Sequence, residues 1–136
     1  GYALAYATAA AILARTGAYA DAGRWYADAL ARQPERSDWA LAQAQVSAVA
    51  GDIQDALRLY AAAVQRYPAD ARLQYEAAQY FLQSGELRAA RAAILQAIAA
   101  APSPSAPYHR LAARIFTALG DTATATQHEQ MARQSP

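Results

Sequence analysis

The sequence predicts an all-α fold of repeated helical pairs, and three observations carry that prediction. Glycines recur at positions 17, 51, 85 and 120, and prolines at 34, 68, 102 and 136. Alanine supplies 41 of the 136 residues; it is the best helix former and buries little area per residue. Val and Ile are few, and no alternating apolar run marks a strand. A fixed period of this length signals a repeat architecture in which each unit buries its face only against its neighbours.

The units are expected at 3–36, 37–70, 71–104 and 105–136, each a helix, a glycine turn and a second helix. In the first unit "YALAYATAAAILA" precedes Gly17 and "YADAGRWYADALARQP" follows it. Before each glycine stand Leu13, Ser47, Phe81 and Phe116, and one residue earlier Ile12, Val46, Tyr80 and Ile115. After it come Tyr19, Ile53 and Leu87, then Ala22, Ala56, Ala90 and Ala125, then Tyr26, Tyr60 and Ile94, then Ala29, Ala63, Ala97 and Ala132. These offsets trace one helical face, with Tyr19, Tyr26, Tyr60 and Tyr80 read as packing. The small residues let the second helix approach the first, and the large one at the ninth offset fills the space between. Glycine ends the first helix because it accepts a positive φ. Proline ends the second because it lacks the donor and restricts the residue before it. Asp21, Asp52, Glu86 and Asp121 sit beside the turns, where a carboxylate suits the start of the next helix.

The fourth unit departs from the pattern. One extra residue lies within "PSPSAPYHR", and Thr122, Glu129 and Arg133 replace large apolar groups in the last helix. A polar outer face there reads as a C-terminal cap. The apolar first helix has no such face, so a neighbour is expected to cover it, or a second copy to self-associate there. The start at Gly1 rather than Met leads to the expectation of a piece cut from a longer protein.

In Gly17, Tyr19, Ala22, Tyr26, Ala29 and Pro34, and again in Gly51, Ala56, Tyr60, Ala63 and Pro68, the chain resembles the tetratricopeptide repeat (TPR) family. Gly85, Ala90, Ala97 and Pro102 repeat the landmarks. The family's early Trp and its Leu-Gly pair are degraded, with Tyr6, Trp39 and Tyr108 near the Trp slot. The resemblance implies a right-handed α-α superhelix, or solenoid, whose first helices line a concave groove. By phase the lining is Leu41, Gln45, Arg72, Tyr75, Gln79, Arg110 and Arg114. Arg110 and Arg114 are four apart on one helix, spaced to hold a carboxylate together. The carboxylate clamp of some family members is not expected, because its positions hold Ala7, Ala11, Ala42, Arg72 and Glu76.

Other functions find little support. A net charge of +1 gives no field for nucleic acid or an anionic membrane. Without cysteine there is no disulfide or thiolate site. HExxH, CxxC, GxxxxGK(S/T), GxSxG and GxGxxG do not occur, and the two histidines, His109 and His128, are expected at a surface or between helices. The apolar run at 2–14 is too short to span a bilayer. Lys and Asn are missing, which leads to the expectation of a GC-rich bacterial source; the periplasm and the cytoplasm stay open. The expected function is a non-catalytic scaffold that binds a protein or peptide in the groove, with no cofactor, metal or nucleic acid. The alternative is a C-terminal accessory domain of a bacterial enzyme such as a periplasmic zinc metallopeptidase, or of a polysaccharide export protein. That alternative rests on a loose likeness of "APYHRLAARIFTALGDTATATQHEQMA" to such tails.

Overall fold

The computed structural model describes all residues, 1–136, and contains eight helices and no strand. They are α1 (Tyr2–Arg15), α2 (Tyr19–Arg32), α3 (Ser37–Val49), α4 (Ile53–Arg66), α5 (Ala71–Gln83), α6 (Leu87–Ala100), α7 (Ala106–Ala118) and α8 (Thr122–Gln134). The chain divides into two compact units, residues 1–63 and 64–136.

Each predicted glycine turn forms, and the four are alike. Gly17, Gly51, Gly85 and Gly120 have φ of +86°, +82°, +79° and +82°. The residue after each donates its N–H to a carbonyl five residues back: Ala18 to Leu13, Asp52 to Ser47, Glu86 to Phe81 and Asp121 to Phe116, at 2.8 to 3.1 Å. The glycine N–H reaches three residues back in each case. This double bond is the Schellman arrangement, and it satisfies carbonyls that the helix end would leave open. The position four before each glycine, Leu13, Ser47, Phe81 and Phe116, therefore supplies a backbone acceptor to its turn. No atom lies within 4 Å of where a Cβ on Gly85 would sit, so conformation alone demands glycine. Gly85→Ala should cost about 1–2 kcal/mol through the left-handed backbone, measured by urea denaturation.

In the N-terminal unit, α1 packs on α2 and α2 on α3. One cluster gathers Ala3, Ala7 and Ala10 of α1, Ala22, Tyr26 and Ala29 of α2, and Trp39 and Val46 of α3. Small residues dominate the contact, as the fifth and twelfth offsets require. Trp25 remains 38% exposed and leans on Tyr6, ring centroids 5.1 Å apart. The Arg36 guanidinium lies 3.9 Å over the Trp39 ring and pairs with Asp38, which holds that carboxyl below its usual range. Tyr2, Leu4 and Ile12 leave an apolar exposed face on α1.

In the C-terminal unit, α5 packs on α6, α6 on α7 and α7 on α8. Leu73, Ile94, Ile115 and the polar Gln74 are its fully buried large side chains. Thr122, Glu129 and Arg133 are exposed on α8. Asp70 caps α5 by accepting from Leu73 N, and Asp121 caps α8 by accepting from Thr124 N, both at 3.1 Å. Asp52 likewise accepts from Asp55 N. Of the other two turn acids, Asp21 pairs with Arg24 and Glu86 makes no side-chain cap bond.

The second offset after the glycine departs from the expected buried face. Ile53 is 55% exposed, and Tyr19 and Leu87 are half-buried. That residue starts its helix, beyond the turn that the first helix covers. Tyr80 and Leu13 are half-buried too, and Ile12 is exposed, whereas Val46 and Ile115 are buried.

Candidate functional site

Five of the seven residues assigned to the groove lie in the C-terminal unit, on α5 and α7. Arg110 and Arg114 are exposed and border a cleft of about 620 Å³, with Leu82 of α5, Ala113, Thr117 and Ala118 of α7, and Glu129 of α8. A smaller recess of about 340 Å³ shares Arg110 and Glu129 and adds Ala132 and Arg133. The cleft thus joins guanidinium groups to a floor of small and aliphatic side chains. Arg110, Arg114, Thr117 and Ala118 share one face of α7 because they recur at helical spacing.

Tyr75 and Tyr108 stack between the same two helices, ring centroids 4.6 Å apart and planes within 10°. Gln79 donates from Nε2 to the Tyr75 hydroxyl at 3.3 Å, one turn along α5. Both tyrosines are half-buried, and Arg72 at the start of α5 is exposed. Burial raises the Tyr108 hydroxyl pKa above its ordinary value, reinforced by Tyr75, Asp70 and Glu76 and partly offset by Arg72. The structure brings Tyr75, Gln79 and Tyr108 into one polar-tipped aromatic cluster.

Leu41 and Gln45 belong to the N-terminal unit. Leu41 is only 6% exposed, so it offers no groove surface, and Gln45 is half-buried. The phase argument failed at Leu41 because α3 is buried on more than one side. Trp39 and Val46 join the cluster with α1 and α2, while Leu41 and Ala44 are buried on another part of the helix surface. A separate cleft of about 450 Å³ in this unit is bordered by Tyr19, Arg24, Gln43, Ser47, Asp52 and Asp55, among others. There the Ser47 hydroxyl donates to Asp55 at 2.7 Å, and Arg58 pairs with the same carboxylate. Both bonds hold the Asp55 pKa low.

Sequence reasoning missed Tyr108, which stood only as a displaced Trp position, and Leu82 and Glu129. The extra residue before α7 moves the register to 35, so α7 aligns with α5 as 106 with 71. His109 then falls on the repeat position of Gln74. The histidines are interhelical and mutually bonded, Nδ1 to Nδ1 at 3.1 Å. No group of three or more His, Cys, Asp or Glu is placed to hold a metal ion. No helix is long and apolar enough to cross a membrane.

These features define an all-α helical-repeat protein whose C-terminal unit carries a cleft of two arginines, one glutamate and an apolar floor. A tetratricopeptide repeat model matches residues 50–115. Solved structures of similar fold include MamA residues 41–end from Desulfovibrio magneticus RS-1, at TM-score 0.74 and 22% identity, covering 95% of this chain and 72% of that one. Another MamA structure gives 0.80 and 18%, covering 96% and 70%. A tetratricopeptide repeat protein from Parabacteroides merdae gives 0.78 and 14%, covering 94% and 51%. At these identities the likeness concerns the fold. A comparison with curated proteins returned no match. The tetratricopeptide repeat match thus falls on residues 50–115, and the chain as a whole has an all-α helical-repeat fold.

Proposed function

We propose that the chain is a non-catalytic scaffold whose C-terminal unit receives an acidic peptide segment in the cleft between α5 and α7. The observation that carries this reading is the placement of Arg110 and Arg114, one turn apart and exposed, beside Leu82, Ala113 and Ala118. Guanidinium forks suit carboxylates, and the apolar floor takes a neighbouring side chain of the peptide. Tyr75 and Gln79 share the α5 face that carries Leu82, and the Tyr75 ring stacks on Tyr108 of α7, which adds ring faces and an amide on the α5 side. Arg72 adds charge of the same sign. A few such anchors supply most of the affinity at a surface of this size.

A synthetic peptide array with acidic, neutral and basic members tests the reading. The wild type is expected to retain acidic members that carry an apolar residue. Arg110→Glu/Arg114→Glu should bind them at least tenfold more weakly, since each charge-assisted bond is worth about 1.5–3 kcal/mol and 1.4 kcal/mol is a factor of ten. Tyr75→Ala combined with Arg110→Glu probes the aromatic end. Equal retention of acidic and basic peptides, or equal binding by the variants, would overturn the assignment.

A further inference from the structure

The only two histidines of the chain meet inside the last hairpin. His109 lies on α7 and His128 on α8, both buried. His128 also lies parallel to Phe116, ring centroids 5.6 Å apart and planes within 5°, so α8 seats its ring beside two rings of α7. In an Nδ1–Nδ1 bond one ring donates and the other accepts, so the acceptor ring has a bare Nδ1, and with both rings neutral they are of opposite tautomer; a single proton on the donor's Nε2 leaves the bond in place. Once both rings have taken up a proton the acceptor's lone pair is filled, the bond becomes two opposed N–H groups, and two positive rings face each other in a largely buried place.

We propose that the His109–His128 pair is an acid-sensitive latch that holds α8 on α7 and opens as the pH falls below neutrality. Arg110 follows His109 and Glu129 follows His128, and those two residues border both recesses of the site. Opening the latch therefore changes the cleft; that consequence rests on the function proposed above, while the latch itself does not.

The surroundings leave the pair to govern this pH range. Tyr108 and Arg110 adjoin His109 on α7, Glu129 adjoins His128 on α8, and Asp121 stands at the start of that helix. Arg91 of α6 acts on Asp121, and Tyr75 and Glu76 of α5 act on Tyr108. The influences on the rings themselves are burial for both, and His109 in addition for His128. Both act in one direction and lower the two histidines from 6.5. A group that resists protonation when folded leaves the unfolded chain binding more protons below pH 6.5. Stability is thus complete above 6.5 and falls as acid is added, through the lowered values of the pair. The folding constant of the hairpin drops by up to about tenfold per pH unit for each proton taken up.

Two measurements on the intact chain decide it. Long-range imidazole ¹H–¹⁵N spectra at pH 7.5 should show one ring protonated at Nδ1 and the other at Nε2, both titrating below 6.5. Amide hydrogen exchange, corrected for intrinsic rates, should show α8 (122–134) losing at least tenfold protection between pH 7.5 and 5.5 while α5 and α6 change less. His109→Leu/His128→Met should remove the difference between the two pH values. Rings of the same tautomer, titration at or above 6.5, or unchanged protection of α8 would each overturn the latch. The spectra of the wild type decide it even where the double variant fails to fold. Because neither readout uses a peptide, a negative result leaves the binding reading standing, and a failed array leaves the latch standing.

Discussion

Ile94→Ala is expected to destabilise the C-terminal unit by about 2–5 kcal/mol, toward the upper end of that range. Ile94 is 0% exposed and occupies the ninth offset after the glycine, where the preceding units have Tyr26 and Tyr60. On its own helix it is flanked by Ala90, Ala93 and Ala97, all buried, and α6 packs on both α5 and α7. Removing three carbon atoms there loses their transfer free energy and leaves a cavity. Alanine neighbours have no rotamers with which to fill that space, so little of the loss is recovered. Ile94→Val removes one methyl and should cost about 0.5–1.5 kcal/mol. Urea denaturation followed by circular dichroism gives both values. An Ile94→Ala cost near that of Ile94→Val would show a core that relaxes freely, against the picture of a wall made of alanine.

The same feature made the fold legible. Alanine at the fifth and twelfth offsets, glycine at the turn and proline past the second helix are local requirements, and each repeats at nearly constant spacing. They marked the four glycine turns, and each of these forms. What the sequence left hidden depends on contacts made by more than one side of a helix. Leu41 was assigned to the groove by phase, yet it is buried, because α3, like other helices within a repeat array, is covered on more than one side. Ile53 was assigned to the buried face but lies at a helix start where little covers it. Arg110 and Arg114 could be paired from spacing alone, since one turn of one helix fixes them. Tyr108 could not, because its stacking on Tyr75 depends on how α5 and α7 approach. The bond between His109 and His128 was equally invisible: nothing in a single helix tells that two imidazoles will face each other across a hairpin.

The second large effect concerns a polar side chain in the core. Gln74→Leu should destabilise the C-terminal unit by about 1–3 kcal/mol, although it adds apolar volume at a buried site. Gln74 is 1% exposed, and its Nε2 donates to Val64 O at 2.9 Å and to Tyr67 O at 3.2 Å. The reason lies at the end of α4. Within a helix, the Val64 carbonyl would accept from the N–H four residues on, but that residue is Pro68, which has none. The proline that terminates the helix thus creates an unfilled acceptor, and the amide of Gln74 fills it from the next helix. Leucine cannot donate, so that carbonyl would lose its partner in a water-poor place. Tyr67 O keeps the N–H of Asp70 at 3.2 Å and loses less. The coupling can be measured by placing the substitution in a Pro68→Ala background. An N–H restored at position 68 gives Val64 O a helical partner, so Gln74→Leu should cost less there, by about 0.5–1.5 kcal/mol. Equal costs in the two backgrounds would show that Gln74 contributes by packing and not by replacing the donor that proline removes.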